Sequence, residues 1–582
     1  MTFERTEYPR PQFRRNRWQC LNGQWDFAFD DDHQGEKANW PQAPALDQKI
    51  QVPFAYESKA SGIGDETHHD TVWYARRFTI PSESKDQETL LHFQASDYVT
   101  HVWVNGHYTG NHKGGYTAFS FSITPYLKDA GENQLVVKVV DSKNTEQPRG
   151  KQRWVDENFG CWYVQTTGIW QTVWLEFVSK QHLKTVKMTP DIDTSTLGLE
   201  YELAGEGNTA LSLQTTITYK NDLINQFSFT PTRTKTKLTA DVTSDLTEWK
   251  VRHWTPEHPH LYDITFTLYD GETVIDEVTS YFGMRKISTD KGQILLNNSP
   301  LYQRLLLDQG YWPDTHLTPP SDEAMKDDIE KTLAMGFNGV RKHQKVEDAR
   351  FLYWCDQMGL LVWSEVGAAY EFSDEAVTSF TEEWLEIVRQ QYNHPSIITW
   401  VPFNESWGVA QIYSDQKQQK FTEGIYALTK AIDPMRPVVV NDGWEHTISD
   451  ILTLHDYEEL GTAFTERYEQ MDRITDNKVS HNHGKFPFAQ GYEYKGQPIL
   501  ISEYGGIAFE TEKGWGYGNQ VADKEAFLSR YHAITEAIRK HPEIVGYCYT
   551  QITDVQQEVN GLLTEQREPK VPIEDIKKIN RL

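Results

Sequence analysis

Beyond Arg285 the chain changes texture, and nothing else in it constrains the fold as strongly. Short apolar runs begin near Leu301–Leu307 and recur at Gly339–Arg341, Leu360–Glu365, Ile397–Phe403, Val438–Asn441, Ile451–His455, Ile499–Glu503 and Ile544–Tyr549. Helical periodicity fills gaps between them at Ser321–Met335, Asp348–Met358, Glu375–Gln391 and Lys524–Lys540. Parallel strands need long crossovers, usually helices, and eight such units in roughly 290 residues match a (β/α)8 TIM barrel. An active site would then lie at the C-terminal strand ends.

The segment before it reads as β-structure throughout. From Trp18 to about Phe177, short alternating strands such as Thr71–Ile80 and Asn133–Val140 are broken by Gly, Asn, Asp and Pro, and Asn105-Gly106 follows one run as a hairpin signal. This predicts a β-sandwich of jelly-roll type. A Thr-rich stretch of about a hundred residues from Val178 to Gly283 suits a small immunoglobulin-like sandwich. The expected division is therefore residues 1–180, 181–283 and 284–582.

Charge narrows the chemistry. The 57 Lys and Arg against 84 Asp and Glu leave a net −27, a surface that repels nucleic-acid phosphates and anionic lipid. Aromatics at 13% supply a sizeable core despite a mean hydropathy of −0.65. No apolar run reaches the roughly 18–20 residues that span a bilayer. The N-terminus carries Glu4 and Glu7 and no apolar segment of a secretory leader, so a cytoplasmic protein is expected. Cys20, Cys161, Cys355 and Cys548 show neither metal nor redox spacing and are expected to be reduced and mostly buried.

Two carboxylates stand directly after apolar strands, Glu405 in Asn404-Glu405-Ser-Trp407 and Glu503 in Glu503-Tyr-Gly-Gly506. Facing carboxylates can cleave a glycosidic bond, one protonating the leaving oxygen and the other attacking the anomeric carbon. Ordinary loop glutamates at a barrel rim would give the same pattern.

These motifs resemble glycoside hydrolase family two, the β-galactosidase and β-glucuronidase family. Val102-Trp-Val-Asn-Gly106, Gly114-Gly-Tyr-Thr117 and Gly168-Ile-Trp-Gln-Thr-Val-Trp-Leu-Glu176 are similar to its N-terminal sugar-binding jelly roll. Tyr281-Phe-Gly-Met-Arg285 is similar to its entry into the barrel, and Gly336-Phe-Asn-Gly-Val-Arg341 and Cys355-Asp-Gln-Met-Gly-Leu-Leu-Val362 to its second and third strands. The resemblance implies that Glu405 is the general acid/base and Glu503 the nucleophile of a retaining double displacement. Glu405 must hold its proton near neutral pH, which burial and the negative Glu503 would favour. Asn404 would bind the substrate 2-hydroxyl. Arg341 and Tyr457 would hold the nucleophile, although a strand-end salt bridge and a core tyrosine fit them as well.

Sugar-reading positions depart from the family. Arg304-Leu-Leu-Leu-Asp308-Gln309 replaces its first-strand motif, Lys342-His343-Gln344 replaces Ser-His, and Thr550 stands where the eighth-strand Trp is usual. Glu558-Val559-Asn560 stands where β-glucuronidases carry Asn-x-Lys, and an anionic Glu558 would repel a uronate. Asp308, Gln309, Gln344, His455 and Glu558 suit neutral hydroxyls, or else support the site from behind. Of Trp312, Trp363, Trp407 and Trp444, one or two should touch ligand. The run Ser480-His481-Asn482-His483-Gly484 is expected in a loop at the mouth, without metal.

The sequence thus predicts an exo-acting glycosidase for a small glycoside or oligosaccharide, with a β-galactoside as the default and no cofactor. An α-L-arabinopyranoside or β-galactofuranoside is the enzymatic alternative, and a β-glucuronide is disfavoured. A transglycosylase would differ only in its acceptor. The rival of another class is a non-catalytic carbohydrate-binding barrel. A homo-oligomer is compatible with the sequence.

Overall fold

The computed structural model describes residues 4–205, 211–243, 250–482 and 484–581. Its first body is a jelly-roll sandwich. A six-stranded sheet (Gln48–Val52, Gly23–Phe29, Thr71–Phe78, Asn133–Val140, Val99–Val104, His107–Lys113) packs on a four-stranded one (Trp18–Cys20, Val173–Val178, Glu88–Phe93, Phe119–Ser122). Alternation sets the faces. In the strand Asn133–Val140, Leu135, Val137 and Val139 enter the inter-sheet core, whereas Val136 packs on the outer face with Trp73 and Trp103.

The second body pairs a three-stranded sheet (His182–Asp191, Thr196–Ala204, Lys235–Asp241) with a four-stranded one (Asp222–Phe229, Leu211–Tyr219, Tyr262–Asp270, Thr273–Phe282) around a core of Leu, Ile, Tyr and Phe. This is the predicted immunoglobulin-like sandwich.

The third body is the barrel. Its strands are Gln303–Asp308, Gly339–Lys342, Leu361–Glu365, Ile397–Val401, Asn441–Asp442, Leu452–His455, Ile499–Gly505 and Ile544–Thr550. All but the fifth form one parallel sheet in which the first strand pairs with the second and the eighth. The fifth pairs instead with Phe403–Asn404, an extension of the fourth strand beyond Pro402. Leu305 and Leu307 point into the barrel with Leu361, Trp363, Leu500 and Cys548, while Leu306 faces the helices. Side-chain caps start the helices: Ser321 accepts from Ala324 N, Ser373 from Ala376 N and Asp523 from Ala526 N. A helix over Gln416–Ile432, absent from the predicted set, lies between the fourth and fifth strands.

All four cysteines are free; Cys355 and Cys548 are buried, but Cys20 and Cys161 are only half-buried. Among the described residues no helix is long and apolar enough to cross a membrane.

The jelly roll reaches the barrel mouth through residues 141–167, which contain no named strand. Arg149 N and Gly150 N donate to Ala368 O at 2.9 and 3.0 Å. Gly150 has φ +65°, and a Cβ there would lie 2.4 Å from the Gln344 carbonyl oxygen. A Cβ on Gly367 would lie 2.8 Å from Gly150 N, so two backbones meet where no side chain fits. Gly150→Ala should therefore cost about 1–3 kcal/mol from steric and left-handed strain, seen as a lower urea midpoint. Gly424→Ala, in a surface helix with nothing within 4 Å of the new methyl, should raise the midpoint slightly.

Candidate active site

The two predicted carboxylates converge at the C-terminal mouth. Glu503 sits in the fully buried seventh strand. Glu405 follows the fourth-strand extension, where its N–H donates to Asp442 O at 2.9 Å and the backbone turns left-handed at Glu405 (φ +52°) and Ser406 (φ +61°). Ser406 locks that turn: its N–H donates to Asn441 Oδ1 at 2.9 Å, and its hydroxyl donates to Glu445 Oε2 at 2.7 Å. Non-glycine residues hold such conformations only where the surroundings over-determine them. The outcome is a Glu405 side chain 22% exposed beside a Glu503 side chain 5% exposed.

Oxygens of the two carboxylates and a nitrogen of His455 all lie within 4.8 Å of one another. His455 Nδ1 is 2.7 Å from Glu405 Oε1 and 3.4 Å from Glu503 Oε2, while its Nε2 is 3.0 Å from Asp442 Oδ2. The sequence suits His455 to sugar hydroxyls; the structure sets both its nitrogens against carboxylates instead.

Arg341, with no exposed surface, organises the floor. Its Nε donates to Glu365 Oε2 at 2.7 Å and Nη1 to Glu503 Oε1 at 2.8 Å. Nη2 donates to Asn404 Oδ1 at 2.6 Å and pairs with Asp442 Oδ2 at 3.0 Å. Tyr457 donates to the other Glu503 oxygen at 2.5 Å and stacks flat on Tyr517 with ring centres 3.4 Å apart. Both residues thus touch Glu503, as a salt bridge and a hydroxyl donor respectively.

Charge follows from this wiring. Burial pushes the Glu503 carboxyl up, but His455 and Arg341 outweigh it and hold the group at about 2. Burial opposes a charge on His455, yet Glu503 and Asp442 raise it to about 10. Burial lifts Glu365 to about 7 against the pull of Arg341. His343, 3.0 Å from Arg341 Nη2, is pushed well below the usual imidazole range by burial, then by Lys151 and Arg341.

The remaining predicted residues divide. Gln309 and Glu558 join the site wall: Gln309 Nε2 donates to Tyr163 OH and Gln551 Oε1, both at 2.8 Å, and lies 3.4 Å from Glu558 Oε2. Glu558 also accepts from Tyr163 OH and from Asn560 Nδ2. Trp407 is half-buried at the mouth, edge-on to Trp162 at 5.2 Å. Asp308 and Gln344 are engaged elsewhere. Asp308 holds Lys342 Nζ and Gly310 N, at 2.6 and 2.7 Å, and Gln344 Oε1 accepts from Ala368 N at 3.0 Å. Of the other tryptophans, Trp363 is core, Trp312 lies under Arg567, and Trp444 packs edge-on to His455. His481 is buried close to His455, which lowers it to about 3 after burial itself, and His483 lies outside the described residues.

Sequence reading missed the jelly-roll contribution: Lys151, Cys161, Trp162 and Tyr163 all reach the mouth. Its one signal was the length of strandless chain between Val140 and Gly168, since loops that long in a compact domain are usually functional. It also missed Asp442 and Glu365, which only the closed barrel brings to Arg341.

The raised His455 and lowered Glu503 values have opposite consequences for stability. His455 contributes stability fully present below its ordinary value of 6.5 and lost as pH rises through about 10. Glu503 contributes stability present above its ordinary 4.5 and lost as pH falls through about 2. The destabilisation of His455→Asn relative to the parent should therefore be largest near pH 6 and shrink steadily toward pH 10 in urea titrations. A difference that grew with pH would refute a charged His455.

Family models match the chain in three consecutive pieces: the sugar binding domain of glycosyl hydrolases family 2 over residues 18–175, the family's central region over 181–285, and its TIM barrel domain over 287–581. Curated relatives include a β-galactosidase of Thermoanaerobacter pseudethanolicus, 24% identical over 84% of this chain and 66% of its own length. A β-galactosidase of Leuconostoc mesenteroides is 23% identical over 94% of this chain and 51% of its own. A β-glucuronidase of Rattus norvegicus is 22% identical over 97% and 88%. The chain thus spans only about half to two thirds of the bacterial β-galactosidases it matches. The crystal structure of Ruminococcus gnavus β-glucuronidase shares the fold, with a TM-score of 0.80 at 19% identity over 99% of both chains. The matched models span nearly the whole length, and the chain belongs to glycosyl hydrolases family 2.

Proposed function

We propose that this protein is a retaining exo-β-glycosidase that removes the terminal non-reducing sugar of a small glycoside by double displacement. The observation that carries the reading is the meeting of Glu405 and Glu503, with oxygens within 4.8 Å of each other at one half-buried mouth. Retaining enzymes place their carboxyl groups about 5–5.5 Å apart, whereas inverting ones leave about 6.5–9.5 Å for a water.

The roles follow from the environments. Glu503 is ionised and aimed by Arg341 on one oxygen and Tyr457 on the other, as an attacking carboxylate requires. Glu405 is the more exposed of the two and lies nearer solvent and a departing aglycone. Its Oε1 lies 2.7 Å from His455 Nδ1, whose far nitrogen faces Asp442 Oδ2 at 3.0 Å. In this reading Glu405 gives a proton to the leaving oxygen and takes one from the incoming water, and His455, held by Asp442, orients the carboxyl. When Glu503 becomes a glycosyl ester its negative charge disappears, which favours Glu405 as base in the second step. The bond from Arg341 Nη2 to Asn404 Oδ1 supports a reading in which the Asn404 amide meets the 2-hydroxyl, a contact that strengthens in the transition state.

Exo action is supported by the wall beyond the carboxylates, where Tyr163, Gln309, Glu558 and Asn560 are each at most 4% exposed. For the sugar, the reading is a neutral β-linked one, a β-galactoside first, with α-L-arabinopyranoside and β-galactofuranoside as alternatives. Buried Glu558 in that wall disfavours a uronate.

Glu503→Gln should lower kcat by roughly four orders of magnitude or more, and a 2-deoxy-2-fluoro glycoside should esterify Glu503 in the parent enzyme. Labelling at another residue would overturn the assignment. Glu405→Ala should keep far more glycosylation activity on dinitrophenyl than on alkyl glycosides, because a good leaving group needs little acid assistance. Equal losses on both would argue against the acid role.

A further inference from the structure

Lys151 belongs to the jelly roll, yet it lies in the barrel mouth, 7% exposed. Among the described residues its Nζ has one hydrogen-bond partner, Cys161 Sγ at 3.1 Å, and no carboxylate within 4 Å. The ammonium also sits 5.4 Å from the centre of the Trp162 ring, which meets Trp407 two residues beyond Glu405. A buried ammonium normally has a carboxylate and several acceptors, and a thiol is a weak one. Two of its three donors are therefore unused among the described residues.

Burial raises the Glu558 carboxyl above its ordinary range against the pull of Lys151, and no ion pair within 4 Å joins the two among the described residues. Beside Glu558, Gln309 Oε1 is buried without a partner among the described residues. The same wall thus presents spare donors on Lys151 and a spare acceptor on Gln309. Tyr517, half-buried, connects this wall to the carboxylates: it stacks on Tyr457, whose hydroxyl donates to Glu503.

We propose that Lys151 is a specificity-determining residue supplied by the jelly roll, donating to a hydroxyl of the neutral terminal sugar while Gln309 Oε1 accepts from one. The inference rests on the glycosidase reading and assigns the chemistry of the sugar within it. A hydroxyl both accepts and donates, so it satisfies Lys151 and Gln309 together. A carboxylate only accepts; it would satisfy Lys151 but leave Gln309 unpaired and face Glu558, with Glu503, Asp442 and Glu365 nearby.

The test measures kcat/KM of the parent, Lys151→Met and Lys151→Arg on 4-nitrophenyl β-D-galactopyranoside, β-D-galactofuranoside, α-L-arabinopyranoside and β-D-glucuronide. It then measures them on the monodeoxy series of the best substrate. We expect a neutral glycoside to be best, and Lys151→Met to lose about 10–100-fold on it, the worth of a hydrogen bond to a charged donor. Lys151→Arg should recover part of that loss. On one deoxy substrate the parent should lose a similar factor and Lys151→Met little more, because hydroxyl and ammonium act as a pair. A uniform loss across the whole deoxy series would reduce Lys151 to a structural role and overturn the proposal. So would a parent that prefers the glucuronide, although the glycosidase reading would then stand. A parent inactive on every glycoside, with Glu503 unlabelled, would overturn both.

Discussion

The site depends on the guanidinium of Arg341. Its five N–H donors lie inside the barrel with no exposure, and their partners come from the third, fourth, fifth and seventh strands: Glu365, Asn404, Asp442 and Glu503. A planar fork of this kind fixes direction as well as charge, which an ammonium could not do at the same position. Such a burial is tolerable only because the cation is met on every side; removing one partner of a buried pair leaves an uncompensated charge worth about 3–5 kcal/mol. The network therefore couples stability to geometry, and the aim of Glu503 is part of what holds the strand ends together.

Asp442 connects the two halves of the chemistry. One of its oxygens meets both Arg341 and His455, so the group that pairs with the cation at Glu503 also holds the imidazole at Glu405. His455 then lies against both carboxylates. Charge changes at either glutamate are felt by the other through a single ring, which is what the proposed double displacement would require.

The jelly roll completes the pocket. Its loop crosses to the barrel where Gly150 and Gly367 let two backbones meet, and it carries Lys151, Cys161, Trp162 and Tyr163 to the mouth. Two domains thus line one candidate site, the barrel bringing the carboxylates on rigid strand ends and the sandwich part of the wall. Loops can vary without disturbing the strands, so specificity differences concentrate there.

Much of this is legible in the chain. Period-2 alternation and turn residues identify the sandwiches, eight apolar runs with helical spacers identify the barrel, and a polar residue just after such a run must lie at a strand's open end. That logic alone singles out Asn404, Glu405 and Glu503, because strand geometry is local. Asp308 follows the same rule, yet it pairs with Lys342 instead, since which rim charge finds which partner is not a local property. His455 suits a sugar contact by sequence, but the ring closure sets Asp442 behind it and both glutamates in front. The sequence by itself determined the elements, their order and the two carboxylates at the strand ends, through periodicities of two and 3.6 residues. Only the tertiary structure decided the distances among those carboxylates, the wiring of Arg341 and the arrival of Lys151, because these depend on contacts between residues far apart in the chain.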